Sequence, residues 1–207
     1  MCLGLIINSR VDLGVVGCPN LPVSPEDPNG PRGCIFYAVR GQGTFQVPLS
    51  DPFTSTPVRY HVPAVTSTNF RMWQSIGHTR LDLNEKVVQD LALSAPSVSM
   101  DSQAKYCSVV REGGMYLRLS DDPAFQEKIW VRLPREIHVV RVAQYVLQDH
   151  APSTILVEEA GGKVTDADGK ALDFGQGRTL ALNYGVLAAG KDVHTTALEA
   201  VKRIRHE

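Results

Sequence analysis

Asp101-Ser102-Gln103-Ala104-Lys105-Tyr106-Cys107 sets a hydroxyl and an ammonium three residues apart. On a helix that spacing puts Ser102 and Lys105 on one face. If the helix starts at Asp101 or Ser102, both good N-caps, its free N–H groups point the same way and favour an anion. A hydroxyl, an ammonium and backbone donors together suit a phosphate. A capped surface helix carrying a solvated lysine accounts for the same residues.

Tyr116-Leu117-Arg118-Leu119 alternates. In a strand, Tyr116 and Arg118 share one face and the leucines the other. An arginine within an apolar strand needs a partner. A ligand phosphate gripped by the guanidinium fork is one, and an internal carboxylate or a solvated sheet face is another. Asp149-His150-Ala151-Pro152 offers a carboxylate that either caps a helix or faces a hard cation such as Mg²⁺. Gly77-His78 puts a histidine in a loop, either exposed or in contact with a ligand.

The elements that must position these groups read as follows. Leu3, Leu5 and Ile7 alternate, Asn8-Ser9 turns, and residues 11–17 return, which is a hairpin pattern. Residues 19–33 form a Pro/Gly-rich loop. Residues 34–40 and 44–47 make a second hairpin around Gly41-Gln42-Gly43, and one more strand fits near 58–62. Helices are expected over 83–94, from 101 or 102, over 153–160 before Gly161-Gly162, and over 191–205. A strand is expected at 115–119. The mixture predicts an α+β or layered α/β fold.

Composition narrows the function. The chain has 207 residues with a net charge of −1, which is not the basic footprint of a nucleic-acid binder. No apolar run approaches the roughly 18 residues that span a bilayer. The apolar start has no basic stretch before it and does not read as a signal peptide. Cys2, Cys18, Cys34 and Cys107 contain no C-x-x-C pair and are expected as reduced thiols in the cytoplasm.

Together, several strings resemble one family. They are Gly17-Cys18-Pro19-Asn20-Leu21, the Asp101–Cys107 string, Tyr116-Leu117-Arg118-Leu119 and Gln126-Glu127-Lys128-Ile129-Trp130. Glu159-Ala160-Gly161-Gly162, Asp173-Phe174-Gly175 and Gly177-Arg178-Thr179-Leu180 continue the match. The family is the 3'(2'),5'-bisphosphate nucleotidases of the inositol-monophosphatase superfamily. The resemblance implies a layered αβαβα phosphatase fold with its N-terminal part missing. It implies Mg²⁺-dependent hydrolysis of the 3'-phosphate of adenosine 3',5'-bisphosphate, or of 3'-phosphoadenylyl sulfate, in sulfate assimilation. Ser102, Lys105 and Arg118 would hold the nucleotide and its phosphates, and His78 would contact substrate. Asp149 would bind metal beside the substrate. The expected partner is this small-molecule nucleotide, not nucleic acid or a membrane, with the chain a monomer.

Two departures stand out. The resemblance implies that the family's water-activating Asp, a metal-binding Glu and an Asp-Pro-Ile-Asp-Gly-Thr motif lie upstream of the strand where this chain starts, so no catalytic residue is expected among these 207. Metal-assisted hydrolysis needs several carboxylates to hold its cations, and the chain as written is expected to be inactive. A start codon placed too late or a truncated gene would account for this. Residues 131–148 then separate Trp130 from Asp149, which the family keeps adjacent. Valine codons begin with GT and one glutamine codon ends with AG, so these 18 residues fit a retained in-frame intron of 54 nucleotides. A natural surface insertion is the alternative. The strand at Met1 is expected to lack a neighbour and to expose a sheet edge and an apolar face. Two rival functions are an inositol-phosphate phosphatase and a non-catalytic nucleotide-binding remnant.

Overall fold

A computed structural model describes residues 1–66, 69–76, 80–100, 103–119, 144–146, 150–176 and 179–205. Among the described residues eleven strands and four helices form a stack. The strands β1 (Cys2–Ile7), β2 (Arg10–Pro22), β3 (Arg32–Val39), β4 (Gly43–Pro48) and β5 (Val58–Tyr60) follow each other as antiparallel neighbours. Asn8 and Ser9 take φ of 50° and 64° between β1 and β2. That is the two-residue loop whose twist matches a right-handed hairpin.

Next come β6 (Met72–Gln74), α1 (Leu81–Asp90), β7 (Val98–Ser99), α2 (Ala104–Glu112) and β8 (Met115–Arg118). After them follow β9 (Gln144–Val146), α3 (Ala151–Glu159), β10 (Gly162–Thr165), β11 (Val186–Gly190) and α4 (Lys191–Arg205). The six-stranded sheet runs β5-β4-β3-β2-β1-β9 and the five-stranded sheet β10-β11-β8-β6-β7.

Side-chain alternation assigns the layers. Cys18, Phe36 and Ala38 of the first sheet meet Tyr106, Val109 and Val110 of α2 and Ile155 and Leu156 of α3 in one core. Tyr116, Val186 and Ala188 of the second sheet face that same core. Leu117, Leu187 and Ala189 point the other way, into a second core with Val87 of α1 and Ala197 and Val201 of α4. The described layers are therefore sheet, helix pair, sheet, helix pair, a β-α-β-α part of the expected αβαβα stack. Gly14 lets α3 lie against β2: a Cβ there would stand 2.2 Å from the Pro152 carbonyl oxygen.

Several expectations change. The edge of β1 is not free, because β9 pairs with it antiparallel, Gly4 opposite Val146 and Ile6 opposite Gln144. β9 lies inside the 131–148 segment, whose other residues are outside the described ones. α1 begins at Leu81 and stops at Asp90, not Ser94, since Ala92 turns to φ of 50°. α3 starts two residues earlier than expected, with Pro152 in its first turn, where no backbone N–H is needed. Its cap position is His150, whose carbonyl accepts from both the backbone N–H and the hydroxyl of Thr154. α4 runs over 191–205 as expected.

Candidate nucleotide-phosphate site

Two of the five expected site residues are described, Lys105 and Arg118. His78, Ser102 and Asp149 lie outside the described residues.

Lys105 is in the first turn of α2. That helix begins at Ala104 behind Gln103, later than expected, and Gln103 makes no side-chain cap. The Gln103 carbonyl accepts from the N–H groups of Tyr106 and Cys107 and closes the first turn. The helix then wedges between the two sheets, so every residue from Lys105 to Arg111 is buried. Lys105 is 3 % exposed, which removes the solvated-lysine alternative. Its ammonium donates to the Met100 carbonyl at 3.2 Å and stands 5.3 Å from the centre of the Tyr116 ring. A buried ammonium is costly unless charge or donors are matched. A carbonyl and a ring face lower that cost and leave the Lys105 stem anchored above β8.

β8 explains how the arginine reaches the same place. Tyr116 and Arg118 fall on one face, toward α2 and α3, as the alternation predicts. Leu117 and Leu119 sit in the opposite core. Arg118 is half-buried at the end of the strand, opposite Val186. Both expected cations thus lie on one side of the five-stranded sheet.

A third link had no signal in the sequence. The Tyr106 hydroxyl and His150 Nδ1 are 2.6 Å apart, both groups buried, with the rings edge to face. The Tyr106 ring also meets Tyr116 at 4.8 Å. This aromatic cluster fastens α2, which carries Lys105, to β8 and to the start of α3. Beside the first turn of α2 lies a cavity of about 500 Å³ lined by Cys2, Cys18, Pro19, Met100, Gln103 and Ala104, among others.

The metal expectation fares differently. Among the described residues no group of three His, Cys, Asp or Glu side chains is placed to hold a metal ion. Asp149, the expected metal ligand, lies outside those residues. No described helix is long and apolar enough to cross a membrane.

Comparison with known proteins gives the context for this geometry. The chain is 36 % identical over 219 residues to a 3'(2'),5'-bisphosphate nucleotidase of Emericella nidulans, covering 99 % of this chain and 57 % of the relative. It is 39 % identical over 209 residues to the protein of the same name in Schizosaccharomyces pombe, covering 99 % and 54 %. It is 32 % identical over 211 residues to 3',5'-bisphosphate nucleotidase 2 of Arabidopsis thaliana, covering 97 % and 54 %. The chain thus spans about half the length of the curated relatives it matches. Among solved structures it is similar to the IMPase of Thermotoga maritima, with a TM-score of 0.60 at 18 % identity, over 99 % of this chain and 61 % of that one. CysQ from Bacteroides thetaiotaomicron, a bacterial member of the inositol monophosphatase family, gives a TM-score of 0.58 at 18 % identity, over 91 % and 61 %. No family model matches.

Proposed function

We propose that this chain, a homologue of the 3'(2'),5'-bisphosphate nucleotidases with the fold of the inositol monophosphatases, carries the nucleotide-holding part of such a phosphatase. Its substrate is adenosine 3',5'-bisphosphate or the related phosphosulfate, from which the 3'-phosphate is removed in sulfate assimilation in the cytoplasm. The observation that carries this reading is the burial of Lys105 between two sheets, on the same side as Arg118. A cation held out of water gains most from an anion that reaches it. Lys105, Arg118 and Ser102 hold the phosphates and the nucleotide, His78 contacts the substrate, and Asp149 binds metal. Magnesium in such enzymes polarises the phosphate and lowers the pKa of an attacking water.

The chain on its own binds this nucleotide without turning it over. Residues 131–148 are a retained intron, and sequencing of spliced messenger RNA across this junction will find it removed.

Calorimetric titration of the chain with adenosine 3',5'-bisphosphate tests the reading. Lys105→Ala is expected to weaken binding at least about tenfold, the scale of one charge-assisted contact. Equal binding by both proteins, or tighter binding of inositol 1-phosphate, overturns it. Phosphate release with Mg²⁺, above that of Lys105→Ala, overturns the inactive state.

A further inference from the structure

Four cysteines are buried in this chain and none is in a disulfide. Two of them, 89 residues apart in sequence, come together where β2 meets α2. The sulfurs of Cys18 and Cys107 are 3.8 Å apart, one thiol donating to the other. A disulfide needs about 2.05 Å, so rotation of side chains and a small approach of α2 to the sheet would close it.

We propose that Cys18 and Cys107 are a redox-active dithiol that a low-molecular-weight disulfide, such as oxidised glutathione, converts to an intramolecular disulfide. Access and order of attack follow from their surroundings. Cys18 lines the 500 Å³ cavity, whereas Cys107 is fully buried behind it. The incoming disulfide therefore meets Cys18. The hydrogen bond shared with Cys107, joined by the charges of the amino terminus and of Arg111, outweighs burial and holds the Cys18 thiol below the usual range. Burial pushes Cys107 well above it. The thiolate is the nucleophile, so Cys18 attacks first and Cys107 resolves.

Cys34 is the nearest rival, since it stands directly across from Cys18 on β3. Its thiol donates instead to the backbone carbonyls of Pro22 at 3.3 Å and Leu21 at 3.5 Å. Burial pushes it up to about 11, which keeps it a thiol.

The balance is simple. The Cys18 thiolate attacks one sulfur of R–S–S–R, forming Cys18–S–S–R and expelling RS⁻. That thiolate takes the Cys107 proton and leaves as RSH. The Cys107 sulfur then attacks the Cys18 sulfur and expels the second RS⁻, which takes up the proton Cys18 had lost. Two protein thiols lose two electrons and two protons, and the small disulfide gains both. The product staples β2 to α2, the helix that carries Lys105.

The reduced chain is treated under native conditions with oxidised glutathione and digested for peptide mapping by mass spectrometry. The expected product is about 2 Da lighter, with Cys18 linked to Cys107 and the loss reversed by dithiothreitol. In Cys107→Ala the reaction is expected to stop at a stable glutathione adduct on Cys18. Should that variant fail to fold, the map of the unsubstituted chain decides alone. A bond from Cys18 to Cys34 or Cys2, a lasting adduct on the unsubstituted chain, or no reaction under conditions that oxidise a small dithiol overturns the proposal.

Discussion

The two sheets are built from similar residues but live in different surroundings. Strands of the five-stranded sheet are covered on both faces: all five residues of β11 are buried, with Leu187 in one core and Ala188 in the other. The six-stranded sheet alternates. In β3, Cys34, Phe36 and Ala38 are buried while Ile35, Tyr37 and Val39 are half-buried. Its outward residues Leu3, Leu13, Val15 and Tyr37 are apolar, yet only α2 and α3 among the described helices pack on this sheet, both on its inner face. Burial on both faces concentrates stability, so equivalent truncations in the two sheets should cost very different amounts.

The largest effect is expected at Leu117. It is fully buried on the middle strand of the five-stranded sheet, packed toward α1 and α4. Leu117→Ala should lower stability by about 3–4 kcal/mol, lost transfer energy plus a cavity. Urea unfolding measures it. A loss below about 1 kcal/mol would mean that the outer helices can collapse onto the sheet.

A smaller, pH-dependent effect sharpens the same contrast. His194 of α4 is fully buried against the five-stranded sheet, its Nε2 3.1 Å from the Thr165 hydroxyl. Burial first, then the Lys163 charge, lowers its pKa from 6.5 to about 4. Between those values the unfolded chain binds the proton and the folded chain does not, so stability falls as pH falls. The contribution is complete above pH 6.5 and amounts to about 3 kcal/mol when lost near pH 4. His194→Gln should flatten the slope of urea stability between pH 7 and 4.5, and an unchanged slope would assign it to other groups.

This difference also decided what the sequence disclosed. The first hairpins were legible because one-sided burial writes a period of two into Leu3, Leu5 and Ile7 and into β3. Two-sided burial erases that period. β6 and β7, three residues and two, pair with neighbours far along the chain and carry no local pattern. α4 was legible end to end because it is amphipathic. At the site, the alternation placed Tyr116 and Arg118 on the correct face. The burial of Lys105 was not legible, because a helix start looks the same in water and between two sheets. Nor were the Cys18–Cys107 approach or the Tyr106–His150 contact, since both join residues that only the layered packing brings together.

The smallest effect is expected on the outward face of the six-stranded sheet. Leu13 on β2 is half-buried, across from Leu5 on one side and Val39 on the other. Truncating it removes cross-strand contact without leaving a closed cavity, so Leu13→Ala should cost about 1 kcal/mol or less. The ratio of this loss to that at Leu117, measured under the same conditions, is the sharpest form of the comparison. Equal losses would require a cover on the outward face as tight as α1 and α4 provide on the other sheet. In that event Leu13→Ala would also leave a cavity, and the steeper dependence of its cost on side-chain volume along a Leu, Val, Ala series would reveal it.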